Sequence, residues 1–204
     1  MLANGGPMLW VILLVGSAGI VIFIERFLHC HRAQINSIEF LNGVRTVIKR
    51  DNVVEAISIC DATPGPVARL VKTAVLNREH GRDRVRESLE EAGLTEVPRL
   101  EERLDLLATI AQLAPLLGLL GTVLGFIDVY SKVQEAGTSA NAALITHGVW
   151  QALVCSAAGL AVAIVIHAGH NYLVSRVNAI VLDMERAAGE IVNIVTENGR
   201  AKSA

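Results

Sequence analysis

Two hydroxyl side chains, Thr122 and Ser156, stand near the middle of long runs that contain no charged residue. The first run extends from Leu106 to Ile127 and the second from Ala136 to Ser175, and both are rich in Gly and Ala. An uncharged run of ~20 residues is long enough to cross a bilayer as a helix. A hydroxyl in such a helix either donates to the backbone carbonyl one turn back or lines a polar path, and the sequence leaves both interpretations open.

Gln151 favours the polar path, because an amide near the end of a membrane helix needs hydrogen-bond partners. It lies five residues from Ser156, on a neighbouring face of the same helix. We therefore assign Thr122, Ser156 and Gln151 to a candidate ion pathway. A membrane proton carrier needs a group that titrates, and neither run contains an Asp or Glu. If protons move here, a partner must supply the carboxylate.

Small residues recur at spacings of three and four in both runs. This pattern lets helix backbones approach closely in lipid, and Pro115 adds a kinked position in the first run. The residues that we assign to helix packing are Pro115, Gly118, Gly121, Gly125, Ala152 and Gly159.

A third apolar run, from Pro7 to Ile24, is closed by Glu25 and Arg26. No positive residue precedes it and no clear small-x-small cleavage site follows it, so a spanning helix is favoured over a signal peptide. We interpret Glu25 and Arg26 as interfacial charges, with Glu25 paired to Arg26 or to Arg103.

Basic residues predict the orientation of the three spans. Thirteen Arg and Lys residues lie between the first and second spans, only Lys132 lies between the second and third, and four follow the third. The positive-inside rule places the first and last groups in the cytoplasm. The N-terminus is then periplasmic and the C-terminus cytoplasmic.

The predicted fold class is an all-α membrane protein with three transmembrane helices and long helices that extend into the cytoplasm. The expected segments are a periplasmic end with the first span (1–25), a cytoplasmic helical region (26–105), the second span (106–130), a short periplasmic loop (131–146), the third span (147–175) and a cytoplasmic helical tail (176–204).

Apolar spacing predicts the cytoplasmic helices. One is expected between Ile35 and Ile48, followed by a break at 64–66 and a second helix from Val67 to about Arg78. A third is expected to begin near Arg84 and to continue through Pro98 into the second span. The third span is expected to continue inward as one long amphipathic helix.

Composition excludes several classes of protein. The chain has 204 residues, of which 52% are hydrophobic, and its mean hydropathy of +0.46 is too high for a typical soluble domain. Its three cysteines show no metal-ligand spacing, and 4% aromatic residues argue against nucleic-acid binding. No nucleophile–base pair or phosphate loop is evident. We therefore expect no enzyme, no cofactor, no catalytic residue and no metal site.

The segment from Leu107 to Ile127, with its core APLLGLLGTV, closely resembles the signature of the MotA/TolQ/ExbB proton-channel family. The segment QALVCSAAGLAVAI, from Gln151 to Ile164, is similar to the second motif of that family. Ile24-Glu25-Arg26 resembles the end of its first span, and the segment 64–69 resembles a cytoplasmic part. The likeness covers nearly the whole chain, and three spans favour the ExbB/TolQ branch.

The resemblance implies a homopentamer in the bacterial inner membrane, with the second and third spans around a central pore. It implies an ExbD/TolR-type single-span partner whose Asp carries the proton beside Thr122 and Ser156, and a TonB/TolA-type protein energised by proton-motive force. The process served would be biopolymer or nutrient import, or envelope maintenance. The chain has Gln151 where the family often has Glu, and Ser156 where it commonly has Thr. A sodium-coupled motor subunit and a non-conducting membrane scaffold remain as alternatives.

Overall fold

The helices of the chain are defined by a computed structural model that describes residues 6–33, 36–137 and 142–203. Throughout these ranges the regular structure is helical. The helices are α1 (Gly6–Ala33), α2 (Ser37–Lys49), α3 (Val53–Ala62), α4 (Pro66–Leu76), a 3₁₀ turn (Arg78–His80), α5 (Arg82–Glu101), α6 (Leu104–Ala136) and α7 (Ala142–Ser203).

Two compact units share these helices. The apolar unit contains α1 up to Arg26, α6, and α7 up to Tyr172. The charged unit contains the rest of α1, the helices α2 to α5, and α7 from Leu173 onward. This division follows the sequence, since the uncharged runs belong to the first unit and most of the Arg and Lys residues belong to the second.

In the apolar unit α1 runs parallel to α7. The two helices approach closely at three glycines. An added Cβ at Gly16, Gly19 or Gly169 would meet Val162, Ile166 or Phe23 respectively. The contacts advance together along both helices. Helix α6 runs antiparallel to both of the others, since Gly19 meets Ile110 and Gly121 meets Met8 near the opposite end.

Three helical stretches are long and apolar enough to cross a membrane, by length and composition, and they contain α1, α6 and the first part of α7. The prediction of an all-helical chain with three such helices is confirmed for the residues that the structure describes. Helix α7 continues without interruption for 62 residues, which confirms the prediction of one long helix. The segment boundaries and the sidedness stay predictions, and residues 1–5 and 138–141 lie outside the described ranges.

The charged unit has its own hydrophobic core. Buried side chains from α2 to α5 occupy it, and Val177, Met184 and Ile191 from α7 are buried as well. The predicted helix near 35–48 is confirmed as α2, with Ile35 itself outside the described residues. The predicted helix from Val67 is confirmed as α4, which ends two residues before Arg78.

Helix α3, which the sequence analysis did not predict, begins at Val53 because Asn52 caps it. The Asn52 side-chain oxygen accepts from the Glu55 amide at 3.4 Å, and the Glu55 carboxylate accepts from the Asn52 side-chain amide at 2.8 Å. The first bond satisfies a backbone N–H at the helix start, and the second holds the Asn52 side chain in place. Asn36 and Glu39 repeat the arrangement at α2.

Gly65 stands at the start of α4 with φ of +130°, a conformation that residues with a Cβ rarely adopt. A Cβ there would lie 2.9 Å from the Ala33 carbonyl oxygen. Pro66 follows as the first helical residue, where its fixed φ suits the helix and its missing N–H costs no bond. The break predicted at 64–66 therefore has both a steric and a conformational cause.

The expected continuation of the third cytoplasmic helix into the second span is wrong. Helix α5 does pass through Pro98, but it ends at Glu101. Arg103 adopts the left-handed conformation, with φ of 63° and ψ of −1°, and α6 begins afresh at Leu104. A left-handed residue other than Gly costs ~1 kcal/mol or more, so contacts of Arg103 must stabilise this backbone conformation.

Candidate functional site

The core of the candidate site is a ladder of small residues between α6 and α7. A Cβ added to Gly125 would lie 2.9 Å from the Ala152 Cβ, and one added to Gly121 would lie 2.8 Å from the Cys155 Cβ. A Cβ added to Gly159 would lie 2.7 Å from the Ala114 carbonyl oxygen. The two backbones therefore approach as closely as they do because these positions lack side chains.

The ladder contains most of the residues that the sequence assigned to packing. Gly118 completes it, since a Cβ there would lie 3.2 Å from the Gly159 Cα and from the Ser156 carbonyl oxygen. Pro115 lies on α6 and is half-buried. As the α6 number falls from 125 to 118 the α7 number rises from 152 to 159, so the contact is antiparallel.

Thr122 sits within the ladder, and its hydroxyl lies between two backbone carbonyls. Its Oγ1 is 3.1 Å from the Gly118 carbonyl oxygen, one turn back, and 3.2 Å from the Ala152 carbonyl oxygen on α7. One hydroxyl proton serves both acceptors. The Thr122 side chain thus joins α6 to α7 as well as capping its own helix.

The Ser156 backbone amide and the Thr122 hydroxyl share one acceptor, the Ala152 carbonyl. In a regular helix the Ser156 amide donates to the Ala152 carbonyl oxygen, which is also the acceptor on α7 for the Thr122 hydroxyl. The Ser156 side chain is half-buried. Its hydroxyl makes no hydrogen bond to any residue in the described ranges.

Both hydroxyls lie on the side of the α6–α7 contact that faces away from α1. Each residue of an α-helix turns by ~100°. Thr122 is therefore ~100° around α6 from Gly121, which approaches Met8 of α1. Ser156 is ~120° around α7 from Val162, which approaches Gly16 of α1. The structure thus brings these two predicted site residues together.

Gln151 lies on the other side. It falls within ~20° of Val162 around α7, which is the direction of α1. Its side chain is half-buried, and its amide has no hydrogen-bond partner among the described parts of the chain. The structure therefore separates Gln151 from the two hydroxyls with which the sequence analysis grouped it.

The two residues predicted as interfacial charges, Glu25 and Arg26, differ in exposure. The guanidinium Nη1 of Arg103 donates to both carboxylate oxygens of Glu25, at 2.6 and 2.5 Å. Of the two partners considered for Glu25, the structure shows Arg103. Arg26 is only 5% exposed, whereas Glu25 and Arg103 are both about half exposed.

Sequence reasoning missed three residues that shape this unit. Gly16 and Gly19 admit α7 to the surface of α1, and Cys155 fills the space opposite Gly121. The two glycines carry a readable signal, since small residues three apart share one helix face. Cys155 carries none, because a buried cysteine packs like any small apolar residue.

Residues 62–186 match the family model described as the MotA/TolQ/ExbB proton channel family. The match covers more than half of the chain. It includes α6, which carries Thr122, and the part of α7 that carries Gln151 and Ser156. The segment that resembles the end of the first span of the family, at Glu25, precedes the matched range.

Three proteins named as ExbB or TolQ are similar to this chain in sequence. The chain is 25% identical over 87% of its length to an ExbB homolog of Methanothermobacter thermautotrophicus, and covers 63% of that protein. It is 42% identical over 45% of its length to the biopolymer transport protein ExbB of Aquifex aeolicus, with 61% of that protein covered. It is 33% identical over 53% of its length to the Tol-Pal system protein TolQ of Haemophilus influenzae, with 47% covered.

The chain thus spans less than two thirds of the length of each of these three proteins. The matched range and the named relatives agree with the motif around Thr122 and with the three apolar helices. On these grounds the chain belongs to the MotA/TolQ/ExbB proton channel family, in its ExbB/TolQ branch.

Proposed function

We propose that this chain is the proton-channel subunit of an ExbB/TolQ-type motor in the bacterial inner membrane. Five copies would surround a pore that is lined by α6 and α7. A single-span partner of the ExbD/TolR type would place an Asp beside the hydroxyls, and proton-motive force would energise a TonB- or TolA-type protein. The N-terminus would be periplasmic and the C-terminus cytoplasmic.

One observation carries this proposal. Thr122 and Ser156 share the side of the α6–α7 contact away from α1, inside runs that contain no carboxylate. A carboxylate that crosses lipid needs hydrogen-bond donors when it is ionised. The Ser156 hydroxyl can donate one hydrogen bond to it, and the Thr122 hydroxyl can do so by releasing the Gly118 and Ala152 carbonyls. The membrane potential contributes ~2.3 kcal/mol per proton per 100 mV.

The test is proton uptake by vesicles that contain the chain together with its single-span partner, under an imposed potassium diffusion potential. We expect uptake to require the partner, to fall strongly in Ser156→Ala and Thr122→Val, and to persist in Ser156→Thr. Full uptake in both of the hydroxyl-free variants would exclude the proposed site. Repeating the assay with a sodium gradient separates a sodium-coupled motor from a proton-coupled one.

A non-conducting scaffold is the second candidate, and the hydrogen bonding of the Thr122 hydroxyl to two backbone carbonyls favours it. Its hydroxyl already donates to the Gly118 and Ala152 carbonyls, which is a packing role. On that view Thr122→Val would loosen the bundle and no ion would move in any variant. The absence of partner-dependent uptake in the unmodified chain would support the scaffold.

A further inference from the structure

One ion pair joins two helices of the apolar unit at one end. Glu25 lies near the end of the α1 segment in this unit, and Arg103 directly precedes α6, 78 residues further along the chain. One guanidinium nitrogen contacts both carboxylate oxygens at 2.6 and 2.5 Å. A charge-assisted contact of this length is stronger than a neutral hydrogen bond.

The backbone of Arg103 ties this ion pair to the start of α6. Its carbonyl oxygen accepts from the Leu107 amide at 3.1 Å, so Arg103 is the N-cap residue of α6. Its φ of 63° lies in the left-handed region. The side chain that binds Glu25 and the backbone that starts α6 therefore belong to one residue.

The ion pair continues the register of the buried α1–α6 contacts. Met8 approaches Gly121, Gly19 approaches Ile110, and Glu25 binds Arg103. As the α1 number rises from 8 to 19 to 25, the α6 number falls from 121 to 110 to 103. The ion pair therefore has the same register between α1 and α6 as the two apolar contacts.

We propose that Arg103 is a positioning residue that, through Glu25, fixes the axial register of α6 against α1 and hence the depth of Thr122. This inference rests on the proposed channel function. Thr122 is 19 residues beyond Arg103 in one continuous helix. A slip of one helical turn displaces it by ~5.4 Å, which removes its hydroxyl from the Ala152 carbonyl.

A matched control lies near the other end of α6. Lys132 contacts Asp128 at 2.6 Å, a distance comparable to that of the Arg103–Glu25 pair. Those two residues belong to one helix, four positions apart, so their contact sets no register between helices. Removing it tests whether the loss of any ion pair on α6 harms the protein.

The variants separate the side chain of Arg103 from its backbone. Arg103→Gly removes the guanidinium while keeping a residue that adopts a positive φ readily, and Glu25→Gln removes the other charge. We expect each to lower partner-dependent proton uptake by about tenfold, since a misplacement of ~1 Å can cost that much or more. Glu25→Arg combined with Arg103→Glu should restore uptake, and Lys132→Met should leave it unchanged.

A disulfide measurement reads the register without relying on transport. In a Cys155→Ala background, the pair Ile12→Cys and Leu117→Cys joins a residue of a buried cluster to a residue that packs against that cluster. The pair Ile12→Cys and Leu113→Cys is shifted by one turn along α6. We expect oxidation to favour the first pair in the parent chain, and this preference to weaken in Arg103→Gly and Glu25→Gln and to return in the charge-exchanged variant.

The outcomes separate this inference from the proposed function. An unchanged disulfide preference in Arg103→Gly would overturn the positioning role, as would a weakened preference with full proton uptake. Failure of the charge exchange to restore either readout would also overturn it. Full uptake in the hydroxyl-free variants of Thr122 and Ser156 would instead overturn the proposed pathway, and the disulfide result would still report the register.

Discussion

The hydroxyl oxygen of Thr122 lies 3.2 Å from the carbonyl oxygen of Ala152, a residue 30 positions further along the chain and on the neighbouring helix. The Ala152 carbonyl also accepts the backbone hydrogen bond of the Ser156 amide within α7. Carbonyl oxygens have two lone pairs and accept both bonds. The hydrogen bond from Thr122 to Ala152 can form only because α6 and α7 approach each other closely.

Replacing Thr122 by Val should weaken the α6–α7 contact. The change keeps the shape of the side chain and removes the hydrogen bond between the helices, which in membrane proteins contributes ~0.6 kcal/mol on average. Thr122→Ser retains the hydroxyl and serves as the control. Unfolding in graded detergent mixtures compares each variant with the parent chain, and a Thr122→Val variant as stable as the parent chain would show that the bond contributes nothing.

Gly159→Ala should destabilise the chain. The new Cβ would lie 2.7 Å from the Ala114 carbonyl oxygen and 2.8 Å from the Gly118 Cα, both backbone atoms that cannot turn away. Overpacking of this kind costs ~1–3 kcal/mol.

Gly189→Ala is the matched control on the same helix, because nothing lies within 4 Å of its added Cβ. It should raise stability by up to ~1 kcal/mol through helix propensity. Thermal unfolding in detergent ranks the two variants. A Gly159→Ala variant as stable as the parent chain or as Gly189→Ala would contradict the ladder.

Gln151→Glu should leave partner-dependent proton uptake close to that of the parent chain. Gln151 lies toward α1, whereas Thr122 and Ser156 lie on the opposite side of the α6–α7 contact. A carboxylate at position 151 therefore does not join the two hydroxyls. Uptake that rises or falls as strongly as in Ser156→Ala would show that the path runs on the α1 side.

Cys60 in the charged unit should resist alkylation at neutral pH. Burial raises the pKa of its thiol to about 11, with Asp61 adding to the rise and Lys72 opposing it. Because only the thiolate reacts, labelling at pH 8 should be about 100-fold slower than for a thiol of pKa 9. Mass spectrometry of the alkylated native and denatured chain, with Cys30 and Cys155 replaced by Ala, measures this ratio.

The same shift gives the charged unit a pH dependence of known sign. Above pH 9 the unfolded chain loses the Cys60 proton while the folded unit keeps it, so the free energy of unfolding falls as the pH rises from 9 toward about 11. Cys60→Ala removes this contribution. A pH profile between 8 and 11 that is the same with and without the thiol would contradict the assignment.

Arg69→Met should destabilise the charged unit more than Arg99→Met. The Glu96 side chain is 8% exposed and contacts Arg69 at 2.5 Å and Arg99 at 3.4 Å. Losing the nearer partner leaves a buried carboxylate poorly compensated, at a cost of ~1–3 kcal/mol. Urea denaturation compares the two variants, and Glu96→Gln in each background shows whether the remaining charge is the cause.

Much of the architecture could be predicted because the signals are local. The uncharged runs and the small-residue spacing in α6 and α7 mark membrane helices, and the Pro-Gly-Pro segment before Val67 marks a break. Helix α3 was missed because its start depends on the bonds between Asn52 and Glu55, which a search for apolar periodicity does not weigh. The break between α5 and α6 at Arg103 was missed because no Gly or Pro lies there to indicate it.

The arrangement of the candidate site depended on tertiary contacts. Residue spacing could place Gln151 and Ser156 on neighbouring faces, but only the position of α1 shows that one of them faces α1 and the other does not. Likewise, charge alone allowed Glu25 to pair with Arg26 or with Arg103, and the geometry of two distant helix ends decides between them.

The parallel packing of α1 against α7 has a consequence for synthesis at the ribosome. Gly16 and Gly19 receive their α7 neighbours Val162 and Ile166, which are translated more than 140 residues later. At 5–20 residues per second this delay is ~7–30 s. During that interval the glycine face of α1 lacks the α7 side chains that cover it in the folded chain.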